Sequence, residues 1–314
     1  MTPVALVTGA SAGIGAVVVR LLLERGWTVY AVARSAARLE AATSRGARGI
    51  VVDLGDERSL EVAVRRVLAE ASRIDVLVNN AGYGEQGAVE DVPAAAARRQ
   101  LEVNVLGAAR LAQLVLPGMR ERGRGRIVNV TSVVADLHLP LGGWYGASKA
   151  ALGALTDSLR QEARPYGVRV VDVRPGPVST GWQEREAEAV RWVSAGGGYS
   201  GVADRVAARA LERGSASSTP ERVARAVLAA ATSPRPRDRY FVGRGVRLAH
   251  SALRLLPAAA GDALVRAYLA GPPARPGPGD AAGRRAGDKV AERRAGAEAA
   301  GRATFPLRRA APIR

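Results

Sequence analysis

Three observations predict a doubly wound α/β fold with a single parallel sheet. Short Val- and Ile-rich runs alternate with longer helical patterns from the first residues onward, several of these runs are apolar on both faces, and a glycine-rich turn joins the first run to the first helical pattern. A strand with one face in water shows alternating polarity, whereas a strand covered by helices on both sides reads as a continuous apolar run. Strict β-α alternation then calls for crossover connections between parallel strands. With 314 residues, 47% of them apolar, the chain can build one such domain with a sizeable core, and 4% aromatics means a core made mostly of Ala, Val and Leu.

The elements follow in order. Strands are expected at VALVTG (4–9), TVYAVA (28–33), GIVVD (49–53), DVLVNN (75–80), RIVNVTS (126–132) and VRVVDVRP (168–175), each too short for a helix. Helices are expected at roughly 13–25, 35–45, 57–71, 93–121 and 144–164, with Gly26 and Gly123 as stop signals. After Pro175 the rhythm breaks, and 177–219 reads as an irregular lid insertion with one helical stretch at 183–193. TPERVARAVLAAA then starts a helix with Thr219 as N-cap and Pro220 at its first position, and RYFVG (239–243) is a last strand. Residues 1–245 thus form the main domain, 246–270 one or two amphipathic helices broken at Pro257, and 271–314 a disordered tail in which 25 of 44 residues are Gly, Pro or Ala.

Charge and composition narrow the function. The net charge is +17, but arginines are scattered through every segment, no basic run is interleaved with aromatics, and the tail alone holds ten Lys/Arg against four Asp/Glu. A solvated surface accounts for this better than a nucleic-acid partner does. Cysteine is absent and only His138 and His250 are present, which removes disulfides and thiolate- or histidine-rich metal sites, so no metal is expected. The opening TPVALVTGAS reads as a strand running into a glycine loop rather than a secretory leader. No stretch approaches the about 18 apolar residues of a membrane span. A soluble, cytoplasmic protein is expected.

The glycine turn VALVTGASAGIG places Gly9, Ser11, Gly13, Ile14 and Gly15 between the first strand and the first helix. Gly9 allows the tight turn, and Gly13 and Gly15 let backbone amides and the helix N-terminus approach a pyrophosphate, so a dinucleotide is the implied ligand. The second strand ends at Ala33 and Arg34, with no acidic residue until Glu40. A carboxylate at that point would bind the adenosine ribose and repel a 2′-phosphate; an arginine pairs with the phosphate instead, so the pattern favours NADP over NAD. Asp53, after the third strand, has two open readings: a contact to the adenine amino group, or a helix cap.

Rare residues mark the chemistry. The chain has two lysines, one of them Lys149, four positions after Tyr145, and four asparagines: Asn79, Asn80, Asn104 and Asn129. Asparagine is a poor helix-interior residue, so Asn104 inside a long helical run suggests a local job for its amide, propping the helix open around a water. Positions i and i+4 share a helix face, which projects Tyr145 and Lys149 together into the crevice at the strand ends. A free phenol has a pKa of about 10, and a neighbouring ammonium is expected to lower it toward the working range of a general acid/base.

Taken together, TGASAGIG, NNAG, Asn104, Ser132, YGASK and RPGPVST (174–180) resemble the short-chain dehydrogenase/reductase family in order and spacing, and the resemblance covers residues 1 to about 245. The stretches NNAGYGEQGAVEDV and PLGGWYGASKAALGALTDSLRQE look like its steroid- and retinoid-dehydrogenase branch. It implies a Rossmann-type fold, an NAD(P)-dependent oxidoreductase, and a homodimer or homotetramer through the long helices holding Asn104 and Tyr145. It also implies that Ser132 orients the substrate carbonyl, that Tyr145 is the general acid/base, that Lys149 holds the nicotinamide ribose hydroxyls, and that Asn104 anchors a water continuing the proton path. Asn80, Ala81 and Gly82 of NNAG, with Pro175, Gly176, Val178 and Thr180, would complete the cofactor site. A compact ammonium suits Lys149's task where a planar guanidinium would not.

The lid carries Trp182, Trp192, Val193 and Tyr199, with Trp144 beside Tyr145 and Tyr83, Leu137, Leu139 and Leu141 nearby. Either they wall a hydrophobic ketone or alcohol, or they pack the lid on the body. His138 either lines that pocket or is a polar loop residue. The helices of 246–270 either cap the pocket, touch a membrane surface or pack between subunits. Rival functions are a non-catalytic dinucleotide sensor on the same fold, a basic RNA- or membrane-binding module, and a sugar-nucleotide epimerase, which would need a larger C-terminal substrate domain.

Overall fold

The computed structural model describes residues 2–179, 182–194, 197–213 and 218–270. The expectations for Thr180 and for the tail 271–314 lie outside the described residues. Among the described residues seven strands form the sheet: β1 (Val4–Thr8), β2 (Thr28–Ala33), β3 (Arg48–Val51), β4 (Val76–Asn79), β5 (Gly125–Val130), β6 (Val168–Pro175) and β7 (Arg239–Val242). Their order is β3-β2-β1-β4-β5-β6-β7, every neighbouring pair parallel. The fold class read from the sequence is the one observed.

The apolar runs are explained by two cores. Side chains alternate across a strand, so Ala5 and Val7 enter one core with α1 (Gly13–Leu23) and α9 (Pro220–Thr232), while Val4 and Leu6 enter the other with α3 (Glu57–Ala71) and α5 (Gly107–Glu121). Both faces are buried, and both parities are apolar. Helix α6 (Gly143–Ala163) lies beside α5 and contributes Leu159 and Ala163 to the second core. Gly26 and Gly123 take left-handed φ values of +74° and +62° after α1 and α5, as stop signals require. Thr219 caps α9 by accepting from the Arg222 amide at 3.3 Å.

Three expectations change in detail. The stretch 35–45 is a 3-10 turn, Ala36–Arg38, followed by a short α2 (Glu40–Thr43). The run 93–121 is not one helix: α4 (Ala94–Leu101) and α5 are joined by a π turn, Glu102–Leu106, centred on Asn104. The described part of the lid holds two helices, α7 (Trp182–Val193) and α8 (Ser200–Arg213), where the sequence suggested one. The buried stripe of α8 is Ala203, Val206, Ala207 and Ala210, small residues that scarcely stand out in an alanine-rich chain. Beyond β7, α10 (Val246–Leu255) and α11 (Ala258–Ala270) are separated at Pro257, as expected.

Leu77 of β4 is fully buried in the second core. Truncation to alanine removes its contacts and leaves a cavity, so Leu77→Ala should lower unfolding free energy by about 2–5 kcal/mol, measured by denaturant unfolding.

Candidate active site

The chain moves outward from β1 to β3 and returns to β4 on the other side of β1. Crossovers leaving β1 and β4 therefore diverge, and a crevice opens at the carboxyl ends of these strands. A cleft of about 2250 Å³ occupies it.

Its floor is the glycine turn. Gly9 and Gly13 both have positive φ, +65° and +55°, and both line the cleft with Ser11 and Ile14. Gly15 serves packing: a Cβ there would stand 2.2 Å from the Gly9 carbonyl oxygen and 2.5 Å from Asn80 Nδ2. The N-cap of α1 is Ala12, which supplies no side-chain cap, so this helix end meets the cleft with backbone alone. Asn80 braces the turn by donating to the carbonyls of Thr8 at 3.0 Å and Gly9 at 3.3 Å, while Thr8 Oγ1 accepts from the Asn80 and Ala81 amides, each at 3.0 Å. Asn79 and Asn129 face each other in register on β4 and β5, and their amides bond at 2.9 Å. Asn129 then reaches Thr156 of α6 at 2.8 Å, which ties both strands to that helix.

Arg34 stands exposed at the end of β2, and the cleft wall beside it includes Arg38. Asp53 lines the same end. It does not cap α3; Asp56 does, accepting from the Arg58 amide at 3.0 Å. Burial alone would raise the Asp53 carboxyl, but the Gly55 amide, Arg99 and Arg34 outweigh it and hold the group below the usual carboxylate value.

At the other end the rare residues converge. Asn104 is buried in the π turn; its Nδ2 donates to the Tyr83 carbonyl at 2.7 Å and to Ser148 Oγ at 3.0 Å, and its Oδ1 accepts from the Tyr83 amide at 3.1 Å. The amide thus ties the loop after NNAG to α6. A Cβ on Gly82 would stand 3.2 Å from both Asn104 Oδ1 and Lys149 Nζ, so any larger residue would press on both groups. Ser132 sits in extended backbone after β5 and caps a 3-10 turn, Val133–Ala135, by accepting from the Val134 amide at 3.3 Å. Its hydroxyl also hydrogen-bonds the Tyr145 phenol. Lys149 is 4% exposed, donates to the Val130 carbonyl at 2.9 Å, and holds its ammonium 5.9 Å from the Tyr145 ring centre.

The electrostatics correct one expectation. Burial pushes the Tyr145 phenol above its ordinary value, Ser132 offsets part of this, and Glu186 of the lid adds to the rise. Burial pulls Lys149 down to about 8, with Asp172 opposing. The lowered phenol expected from the Tyr–Lys pair is therefore not what these side chains produce alone, because the ammonium is aimed at Val130 and both groups are desolvated.

Pro175, Gly176 and Val178 line the cleft as expected. The lid aromatics do not wall it as a set. Trp144 donates its indole N–H to the Val89 carbonyl at 3.4 Å, Val193 packs against Gly87, and Leu141 is buried in a cluster with Ala88 and Val190. Tyr199 and His138 are exposed, and the side chain of Trp182 lies outside the described residues. Tyr83, Leu137 and Leu139 do line the cleft, and Val206 of α8 with residues of α10 and α11 adds to its apolar wall. Sequence reasoning also missed a buried ion-pair lattice beneath Ser132. Arg174 Nε lies 2.5 Å from Asp172 Oδ2 and its Nη1 pairs with Asp136, while Asp172 accepts from Thr131 Oγ1 at 2.5 Å and from Arg239 Nε at 3.2 Å. Among the described residues no cluster of His, Asp and Glu could hold a metal ion, and no helix is long and apolar enough to cross a membrane.

Comparison with known proteins agrees with this geometry. Residues 3–191 match the family model described as short chain dehydrogenase. The chain is 32% identical over 276 residues to a probable short-chain type dehydrogenase/reductase, VdlC, of Helicobacter pylori, covering 85% of this chain and 98% of that one. A solved short chain dehydrogenase from Burkholderia cenocepacia in complex with NADP superposes with a TM-score of 0.65 at 29% identity, covering 86% of this chain and 98% of the other. An NAD+-bound xylitol dehydrogenase superposes with a TM-score of 0.67 at 29% identity, covering 77% and 98%. On the family match and on the hydroxyl, phenol and amine gathered at the end of β5, the chain belongs to the short-chain dehydrogenase/reductase family of oxidoreductases.

Proposed function

We propose that this protein is a cytoplasmic NADP-dependent oxidoreductase that interconverts an apolar ketone or aldehyde with its alcohol. The observation that carries the reading is the hydrogen-bonded Ser132–Tyr145 pair beside the buried Lys149 ammonium, set in a cleft whose outer wall is apolar.

The residues present fit a dinucleotide. Gly9 and Gly13 turn the backbone at positive φ along the cleft wall, an uncapped helix end faces the cleft, and Gly82 passes beside Lys149. The turn of Gly9 to Gly15 would hold the diphosphate, Lys149 the ribose hydroxyls near the nicotinamide, and Pro175 to Val178 the carboxamide. Arg34, with Arg38 beside it, would take the 2′-phosphate. The bound cofactor supplies or accepts the hydride. A carbonyl oxygen placed between the Ser132 and Tyr145 hydroxyls accepts from both, which orients the carbon and stabilises charge on the oxygen. Since burial keeps the phenol protonated, Tyr145 is poised as a proton donor, the role reduction requires. Beyond Tyr145 the buried Lys149 and Asn104, both beside Gly82, continue the polar path. The family likeness also supports a homodimer or homotetramer through α5 and α6, whose surroundings leave Leu106 and Leu155 exposed.

Three outcomes test this. Tyr145→Phe should lower kcat for an apolar ketone by about 10²- to 10⁴-fold while NADPH binding, followed by fluorescence, is unchanged; a fully active variant would favour a dinucleotide sensor or another mechanism. NADPH should raise the melting temperature more than NADH does, and Arg34→Ala should narrow that gap; a larger shift with NADH would overturn the NADP preference. Lys149 titrates near 8 in the fold against about 10.4 when unfolded, so keeping it charged costs stability on the order of 3 kcal/mol below pH 8. That penalty fades as pH rises from 8 toward 10.4. Lys149→Met should therefore melt higher than wild type at pH 7 in the absence of cofactor, lose activity, and show a shrinking stability gain above pH 8.

A further inference from the structure

The cleft extends past Ser132 and Tyr145 to a wall made by α10 and α11. Ala252 of α10, Leu256 just after it and Leu264 of α11 line it, and Leu269 packs on the cluster of Ala88, Leu141 and Val190. Such helices close a cleft only if they are held to the body. Helix α11 is held to α8 by Leu269 and by Arg209 over the Tyr268 ring, and α10 has two further attachments, one of them apolar: Val246 fills the space over Gly176 and Gly243, where a Cβ would meet its Cγ2 at 2.8 and 2.7 Å. The other is polar. His250, 8% exposed on α10, places Nδ1 2.7 Å from Asp136 Oδ2 and its ring 4.6 Å from that of Phe241 on β7.

Asp136 ends the 3-10 turn that Ser132 begins. Its Oδ2 also pairs with Arg174 Nη1, and Arg174 is anchored on Asp172, which holds Thr131, the residue before Ser132. Arg174 and His250 together hold the Asp136 carboxyl ionised, against the effect of burial. A carboxylate only accepts, so His250 Nδ1 carries the hydrogen and the ring's orientation is fixed. One carboxylate oxygen thus serves both the turn that aims Ser132 and the helix that closes the cleft.

We propose that His250 is a positioning residue for substrate: its hydrogen bond to Asp136 latches α10 and α11 onto the Ser132 turn, so that the far end of the cleft closes around a long apolar chain. The proposal rests on the reading of this protein as an oxidoreductase of apolar ketones. His250 touches none of the reacting groups, so a short ketone that occupies only the space at Ser132 and Tyr145 does not depend on the latch. A ketone long enough to reach Leu256 and Leu264 does.

The experiment uses the full chain with NADPH and two substrates, methyl propyl ketone and methyl nonyl ketone. His250→Leu keeps apolar packing on Phe241 and removes the donor; His250→Asn places an amide N–H where Nδ1 stands. The latch predicts that His250→Leu raises KM for methyl nonyl ketone by about tenfold, the loss expected of a hydrogen bond to a charged group. In that variant kcat, the KM for methyl propyl ketone and NADPH affinity stay within about twofold, and His250→Asn recovers most of the loss. Hydrogen exchange of 246–270 without ligand gives a readout free of turnover: it should quicken in His250→Leu and return toward wild type in His250→Asn. Equal losses on both ketones, or unchanged exchange in His250→Leu, overturn the latch. Should wild type reduce neither ketone, the substrate reading falls by itself, and the exchange result still decides whether His250 holds the helices.

Discussion

Burying one ammonium is the constraint around which this molecule is arranged. Lys149 is nearly sealed from water, and its depressed affinity for a proton shows how poorly the interior replaces a hydration shell. One carbonyl, that of Val130, bonds it directly, and Asp172 favours its charge. The glycine at 82 exists in part because a methyl group would crowd that ammonium. The asparagine network then fixes α6, the helix that carries Lys149, against β4 and β5. A site of this kind is held in place by its surroundings rather than by its own stability.

The lattice of Asp136, Arg174, Asp172 and Arg239 is the second half of that arrangement. Removing one member of a buried ion pair leaves an unpaired charge, which is far more damaging than replacing the pair outright. Here the lattice spans β6, β7, the Ser132 turn and, through Asp157, helix α6. Its members bind the elements that must agree in position if the Ser132 and Tyr145 hydroxyls are to meet at one oxygen atom.

What the sequence disclosed and what it hid have the same cause, the contrast of a residue against its background. Lys149 and Asn104 were conspicuous because lysine and asparagine are scarce here, and the glycines because their spacing sits at a strand-to-helix junction. The parallel sheet was legible because strands covered on both sides have few other ways to be written. Arg174, Asp172 and Asp136 passed unnoticed in a chain with arginine everywhere, although Arg174 stood inside a quoted motif. The stripe of α8 vanished among alanines for the same reason. Trp144 and Val193 stayed open between pocket wall and lid packing because hydrophobicity tells that a side chain is covered, not which surface covers it; the structure turns both toward the loop at 87–89. His250 was invisible as a tie because its partner lies 114 positions away.

The two rims of the sheet carry a further consequence. Each is a strand of four residues, β3 on one side and β7 on the other, and each begins with an arginine. Pro234 and Pro236 precede β7 and can donate no backbone hydrogen bond. Rims so short and so charged offer little template for a foreign strand. Copies of this chain therefore cannot readily grow a continuous sheet from one molecule into the next, and the same feature guards the native state against runaway edge-to-edge aggregation.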